Sequence, residues 1–493
     1  MKSLNNTLIA ILTAALLQAA TGKTPPVSTG YQLYASEFLQ VHAGGEVMLR
    51  NEAWDWFGDN DDAYSFRFQR SRLHLAAQTA HLDAFVEPQY VSMWGLPDAA
   101  ASSGKGPAGM GALYYLHNQD RNPDSLGLHQ AWLRFKDLPG ADTSLTLGRM
   151  TYSSGLEHVN PQDGKKFNTL KSLRMGDRLL SSFEWSAFAR SFDGGRIGTT
   201  LPGGFPVTAS WFYPTQGGWE KDFNESMEDV RVASVVITAP KGKLLPDTEL
   251  QVFAHNYTDE RNCTQRVDNT GRGATQADID IHAFGAHLLG MRPLAAGQWD
   301  YLLWGVIERG DWYEQDHAAY AFTAETGFQW TQAPLKPWLR IGYFMSSGDD
   351  DPRDSDHGTF FQMAPGTRKY QLFPYYDLQN NTSLYGQLLL FPRKNVTLRF
   401  DYALNRLTER NDRWYMGTGP TQEQGGIFGY LGRPSGGDDA LSQEASFMLN
   451  YEYDDHLSLS LFYAHVWSDD VIENIYPNDS DADYGSIELT YKF

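Results

Sequence analysis

The stretch 183–198, FEWSAFARSFDGGRIG, sets Glu184, Arg190, Asp193 and Arg196 among Phe183, Trp185, Phe188 and Phe192. Other charged residues fall singly or at alternate positions inside apolar runs: Arg72 and His74 in RSRLHLAAQ, Arg134 in QAWLRFK, Arg149 in SLTLGRM, Arg340 in PWLRIGYF, and Arg399 with Asp401 in TLRFDYALNR. A guanidinium presents five donors in a fixed fork that matches a carboxylate, so such residues do binding chemistry. Covalent catalysis lacks its residues. His74, His81, His129 and His158 are scattered, no G-x-S-x-G elbow occurs, and no Ser–His–acid spacing repeats. Asp479, Asp481 and Asp483 alternate, which raises a loop-bound Ca2+, but the glycine and terminal glutamate of an EF-hand are missing and a solvated acidic face fits better. No other cofactor and no nucleic-acid partner is expected. Cys263 is the single cysteine, set among Arg261, Asn262, Gln265 and Arg266, so no internal disulfide forms and its surroundings read as an exposed loop.

The elements that carry these residues have a period of two. Ser144–Met150, Leu457–Trp467 and Ser486–Phe493 each alternate apolar or aromatic residues with polar ones, the signature of strands. Aromatics make up 14% of the 493 residues, with 14 Trp, 26 Tyr and 46 Gly, and no Pro- or Ser-rich linker divides the chain. Short connections near 79–81, 137–142, 201–205, 240–246, 292–297, 333–337, 392–395 and 454–456 alternate with longer ones, among them 95–125, 151–182, 347–381, 408–442 and 468–483. Turns and loops segregated by length are the pattern of an outer-membrane barrel. The expected fold is all-β: a transmembrane antiparallel β-barrel of about 18 strands, with 16 or 20 as alternatives, short periplasmic turns and long extracellular loops.

The start of the chain agrees with export. Lys2 precedes an apolar run, Leu8 to Ala20, with small residues after it, so residues 1–22 read as a signal peptide, 23–40 as a periplasmic lead segment and 41–493 as the barrel. No later run has the length of a membrane helix, and the mean hydropathy of −0.46 suits alternating strands. The chain ends on Phe493 with aromatics alternating before it, the feature that barrel-insertion machinery recognises in outer-membrane proteins.

A barrel of this size leaves an aqueous lumen, so charged residues face inward and apolar ones face lipid. On that rule Leu73, Leu75, Leu133, Phe135, Leu398, Phe400 and Tyr402 face lipid, while Arg72, His74, Arg134, Arg399 and Asp401 face the lumen. Arg340 points inward if Leu339, Ile341 and Tyr343 form the lipid face. Residues 183–192 read as a strand with Trp185, Ala187 and Ala189 toward lipid and Glu184, Ser186, Phe188, Arg190 and Phe192 inside. Arg149 shares the parity of Leu145 and Leu147; a bulge at Gly148 would turn it inward, and otherwise it sits at the membrane edge. Asp193 and Arg196 are expected in the lumen, across a bulge or bend at Gly194-Gly195.

Three segments, SLTLGRMTY at 144–152, DRLLSSFEWSAFARSFDGGRIG at 177–198 and GYFMSSGDDDPRDSDHGTFFQMAPGTRKY at 342–370, resemble in type and order the alginate-export family of outer-membrane proteins. The resemblance implies an 18-stranded pore for an anionic polysaccharide, with arginines lining a positive constriction and loops gating it. Arg149, Arg190, Asp193 and Arg196 are the positions it carries over. Two departures stand out: Met363-Ala364 replaces the usual apolar–Phe pair, and the Gly148-Arg149 strand continues as MTYSSGLEHV.

The formal charge of −20 opposes an anion path only if the acids line it, and they concentrate in loops: 58–62, 348–356, 436–439 and 478–483. There they meet water, or divalent ions bridging lipopolysaccharide. The expected partners are outer-membrane lipid and lipopolysaccharide, an anionic saccharide, the barrel-insertion machinery and periplasmic export components. The rival readings are a diffusion porin for small anions or organic acids and, more remotely, an outer-membrane enzyme. A plugged receptor would need a globular segment before the first strand.

Overall fold

The computed structural model describes residues 30–58, 63–102, 105–140, 142–366, 370, 372–417, 419–423, 430–478 and 480–493. Among them, eighteen antiparallel strands close into one barrel. In chain order they are β1 (Gln40–Asp55), β2 (Ala63–Gln78), β3 (Leu82–Trp94), β4 (Asp124–Leu138), β5 (Thr143–Met150), β6 (Phe192–Leu201), β7 (Phe205–Pro214), β8 (Val230–Ala239) and β9 (Thr248–Asp259). There follow β10 (Ile279–Leu294), β11 (Gly297–Trp312), β12 (Gln315–Gln329), β13 (Trp338–Ser346), β14 (Asn381–Arg393), β15 (Val396–Leu407), β16 (Ala440–Glu452), β17 (Leu457–Ser468) and β18 (Ala482–Lys492). Each pairs with its sequence neighbours, and β18 closes on β1 from Glu46↔Lys492 to Asp55↔Asp483. Closure leaves the sheet without a free edge, the condition for crossing lipid. A short strand, Tyr31–Ala35, pairs with residues 40–43 of β1 beside the chain end, where Phe493 exchanges backbone hydrogen bonds with Gly45.

Alternation decides the two faces. Along β12 every second residue from Gln315 to Gln329 is buried, and Tyr320 and Phe322 between them are exposed. Leu73, Leu75, Leu133, Phe135, Phe400 and Tyr402 all face outward, as do Leu339, Ile341 and Tyr343, which leaves Trp338 and Arg340 inside. These outward rings and aliphatic chains form the lipid-facing band of a membrane-spanning barrel.

The wall is uneven in height. Strands β10 and β11 have 16 residues each, roughly 54 Å at about 3.4 Å per residue, whereas β5 has only 8. The chain leaves the sheet early at Met150, and residues 151–191 turn into the barrel instead of continuing the wall. This overturns the strand expected at 183–192. Trp185, Ala187 and Ala189 do not face lipid: both alanines are fully buried, and the segment runs through the lumen until β6 begins at Phe192. Period-two spacing here is local accident, because a run buried on all sides satisfies any period.

Candidate functional site: the lumen and its in-folded loop

Within 151–191 a helix, α1 (Lys165–Met175), follows a tight turn in which Asn160 Oδ1 accepts from the Gln162 amide. Its far end reaches the periplasmic mouth, where Lys166 Nζ donates to Gln329 Oε1 on β12 at 2.8 Å. Phe167, Leu170, Lys171 and Arg174 recur at helical spacing and form the buried face. They press against β9–β14. Lys171 meets Glu249 at 2.7 Å, while Arg174 at 3.1 Å and Arg178 at 3.3 Å both meet Glu325. Arg340 adds contacts to Glu325 at 2.8 Å and to Asp300 at 2.7 Å. Every side chain in these pairs is 0–3% exposed. The loop supplies the cations here and the wall mostly the acids.

On the opposite side, β1–β4 and β18, the lumen keeps water. Side chains of Arg72, His74, Glu87, Glu46, Glu488, Arg134, Lys136 and Lys492 are 11–38% exposed. Asp83, itself buried, is shared by Arg134 and by Lys136 Nζ at 2.7 Å. Arg399 on β15 pairs with Asp401 at 2.6 Å, and both face inward. Arg196 shares the inward register of Thr146 and Ser210 and lies within electrostatic reach of Arg134, Tyr152 and Glu157.

The loop returns across this solvated side as Glu184-Trp185-Ser186. Arg72 Nη1 donates to Glu184 Oε2 at 2.7 Å, and His129 Nε2 lies 3.1 Å from Glu184 Oε1. Arg70 donates to the carbonyls of Glu184 and Ser186, and Arg50 to that of Trp185, at 2.7–2.9 Å. Glu184 therefore reaches the lumen from the in-folded loop and not from a strand. His129 faces inward because it is the extra residue of a bulge in β4 opposite Glu87-Pro88 of β3, which brings both His129 and Gln130 to the buried face of β4.

The lumen expectation for Arg149 and Asp193 does not hold. Gly148 takes φ +122°, yet pairing continues without a shift from Leu147↔Gly195 to Met150↔Phe192, so no bulge turns Arg149 inward. It stays on the outward parity of Leu147, in a bidentate pair with Asp193 at 2.6–2.7 Å, under Asn224 of the loop 215–229. Arg190 is buried in the in-folded loop and donates to the Pro420 carbonyl at 3.2 Å, so it ties two loops together.

Loop 347–380 also folds inward and pins the first. Ser181 and Ala364 exchange backbone contacts across Leu180, with the Ser181 amide donating to the Ala364 carbonyl at 2.7 Å and the Ala364 amide to Leu179. Above them Asp412 accepts from Thr359, Tyr415 and the Asp349 amide. Burial, then the neighbouring Asp412 carboxylate, push Asp349 up to about 7, and burial pushes Asp412 up to about 6. Asp479 lies outside the described residues; Asp481 and Asp483 accept from Ser468 and from Tyr463 and His465. Among the described residues no group of three or more His, Cys, Asp or Glu is placed to hold a metal ion.

The family model for alginate export matches residues 51–485. The chain belongs to the alginate-export family. No curated protein matches the sequence. Solved structures that it resembles include OpdK of Pseudomonas aeruginosa with vanillate (TM-score 0.54, 11% identity, 92% of this chain and 98% of that one). OccK2 (OpdF) of the same species in complex with glucuronate gives 0.54 and 10%, and a BenF-like porin from Pseudomonas fluorescens Pf-5 gives 0.56 and 11%, each over 92% of this chain and 98% of the other. At these identities the likeness is one of fold. Within the alginate-export motifs, then, Glu184 and Arg196 stand in the lumen, Arg190 ties loops, and Arg149 with Asp193 braces the outer rim.

Several residues at the site escaped the sequence reading: Arg50, Arg70, Lys171, Arg174, Arg178, Glu249 and Glu325. Arg70 shares the parity of Arg72 and His74, and Lys171, Arg174 and Arg178 are spaced as one helical face, so a signal existed for some. Which wall that face meets is tertiary information.

Proposed function

We propose that this outer-membrane channel passes carboxylate-bearing saccharides, an anionic oligo- or polysaccharide of the alginate type, along the solvated side of its lumen. The observation that carries this reading is the donor row on that side: Arg72, Arg134 and Lys136 reach water, and two of these cations share the single acid Asp83. Low-dielectric walls focus the field of such a row on a passing anion. Family membership supports the substrate class. The test is single-channel recording in planar bilayers with mannuronate oligomers added: reversible block supports the reading, while a cation-selective pore indifferent to uronates sinks it.

A second reading, passage of small organic acids, is favoured by the loop 151–191, which occupies the barrel down to its periplasmic mouth. The ligands bound in the structures of those neighbours, vanillate and glucuronate, point the same way. Permeation of benzoate and glucuronate without block by oligomers would select it.

A further inference from the structure

The segment Glu184-Trp185-Ser186 meets the wall with the opposite polarity to α1. The helix, with Arg178 just beyond its end, brings cations to wall acids and seals them at 0–3% exposure. Here the loop brings only acceptors, one carboxylate and three consecutive carbonyls, and the wall brings only donors from Arg50, Arg70, Arg72 and His129. The junction keeps a wet edge, with Glu184 13% and Arg72 11% exposed. Its donors are not used up: Arg72 Nη2 and Arg70 Nε are buried and find no hydrogen-bond partner among the described residues. The segment lies in a turn closed by the Ser186 amide on the Phe183 carbonyl, and a run of oxygen acceptors carrying a carboxylate is also the chemistry of a uronate oligomer.

We propose that Glu184-Trp185-Ser186 is a built-in surrogate substrate: it occupies a carboxylate-binding site formed by Arg70, Arg72 and His129, and an incoming uronate displaces the Glu184 carboxylate to bind there. This rests on the reading of the lumen as a path for carboxylate-bearing solutes. The segment makes the site self-inhibited, so a solute without a carboxylate does not open it. The surrounding acids, Glu46 beside Arg70 and Glu87 beside His129, keep the vacated site from trapping the anion.

The test compares wild type with Glu184→Gln in planar bilayers, after heat-modifiable mobility confirms a folded barrel. Losing one charge-assisted competitor is expected to tighten block by glucuronate and by a mannuronate oligomer about tenfold. It also moves the reversal potential in a KCl gradient toward chloride. Adding Arg72→Gln abolishes the gain in block. Where Glu184→Gln fails to fold, Glu184→Asp withdraws the carboxylate by one methylene and gives a smaller gain of the same sign. Equal block of wild type and Glu184→Gln overturns the surrogate while the transport reading stands. A shift toward chloride with no block by any uronate supports a masking carboxylate and overturns the saccharide reading instead. Neither block nor shift overturns both.

Discussion

The two sides of this lumen use the same side chains for different ends. Against β9–β14, Lys171, Arg174, Arg178 and Arg340 meet Glu249, Glu325 and Asp300 with almost no water. Against β1–β4, Arg72, Arg134 and Lys136 meet Glu184 and Asp83 at the edge of solvent. A buried pair is a lock, because removing one partner strands a charge in a low dielectric. A solvated pair is exchangeable, because water and solute ions compete for it at little cost. For an arginine on the inward face of a strand, burial therefore tells whether it holds the loop or faces the solute.

The largest expected effect breaks the lock. Glu325→Ala leaves Arg174, Arg178 and Arg340 facing one another and should cost about 3–5 kcal/mol. It should lower the temperature at which the folded band is lost in heat-modifiability gels and give larger, noisier conductance. A silent, fully stable variant would show that the loop is not held by this cluster. Next, Lys171→Met strands Glu249 beside His287, with a loss of roughly 3 kcal/mol that Lys171→Met/Glu249→Gln should largely restore. Failure of the double variant to recover would place the cost in packing and not in charge.

Arg134→Gln, on the wet side, inverts the expectation: Lys136 still pairs with Asp83, so stability changes by less than about 1 kcal/mol, while the reversal potential moves away from chloride. A stability loss equal to that of Glu325→Ala would erase the contrast between the sides. The smallest effect is in the loops above both. Asp349, held up near 7, and Asp412, near 6, bind protons more tightly folded than unfolded. Their contribution to stability is complete below the ordinary carboxyl range and is lost as pH rises through 6 to 7. Proteolysis of loop 347–380 on intact cells should accordingly slow as pH falls from 7.5 to 5.5, and Asp349→Asn should weaken that dependence and confine it to the lower part of the range, where Asp412 titrates.

Much of the wall was legible. Leu339-Arg340-Ile341 reads correctly because a strand has two faces and only one can meet lipid, and the eight short turns fall where the sequence places them. The course of residues 183–191 was not legible, since an irregular segment packed inside a lumen answers to no strand period. The Trp185–Ala187–Ala189 alternation misled for that reason. Gly148-Arg149 misled differently: a glycine permits a bulge but does not compel one, and the pairing of β5 with β6 ran straight through it.

Alternation and loop lengths by themselves determined the barrel, an approximate strand number and the inward turn of Arg72, Arg134, Arg340 and Arg399, because a strand's side-chain period is a property of its own backbone. Only the tertiary structure decided where 151–191 goes, which wall α1 closes, and that Glu184 faces Arg72 across 112 residues of chain. Those contacts join segments with no local rule between them, and burial on the far side of the lumen sets which of them exclude water.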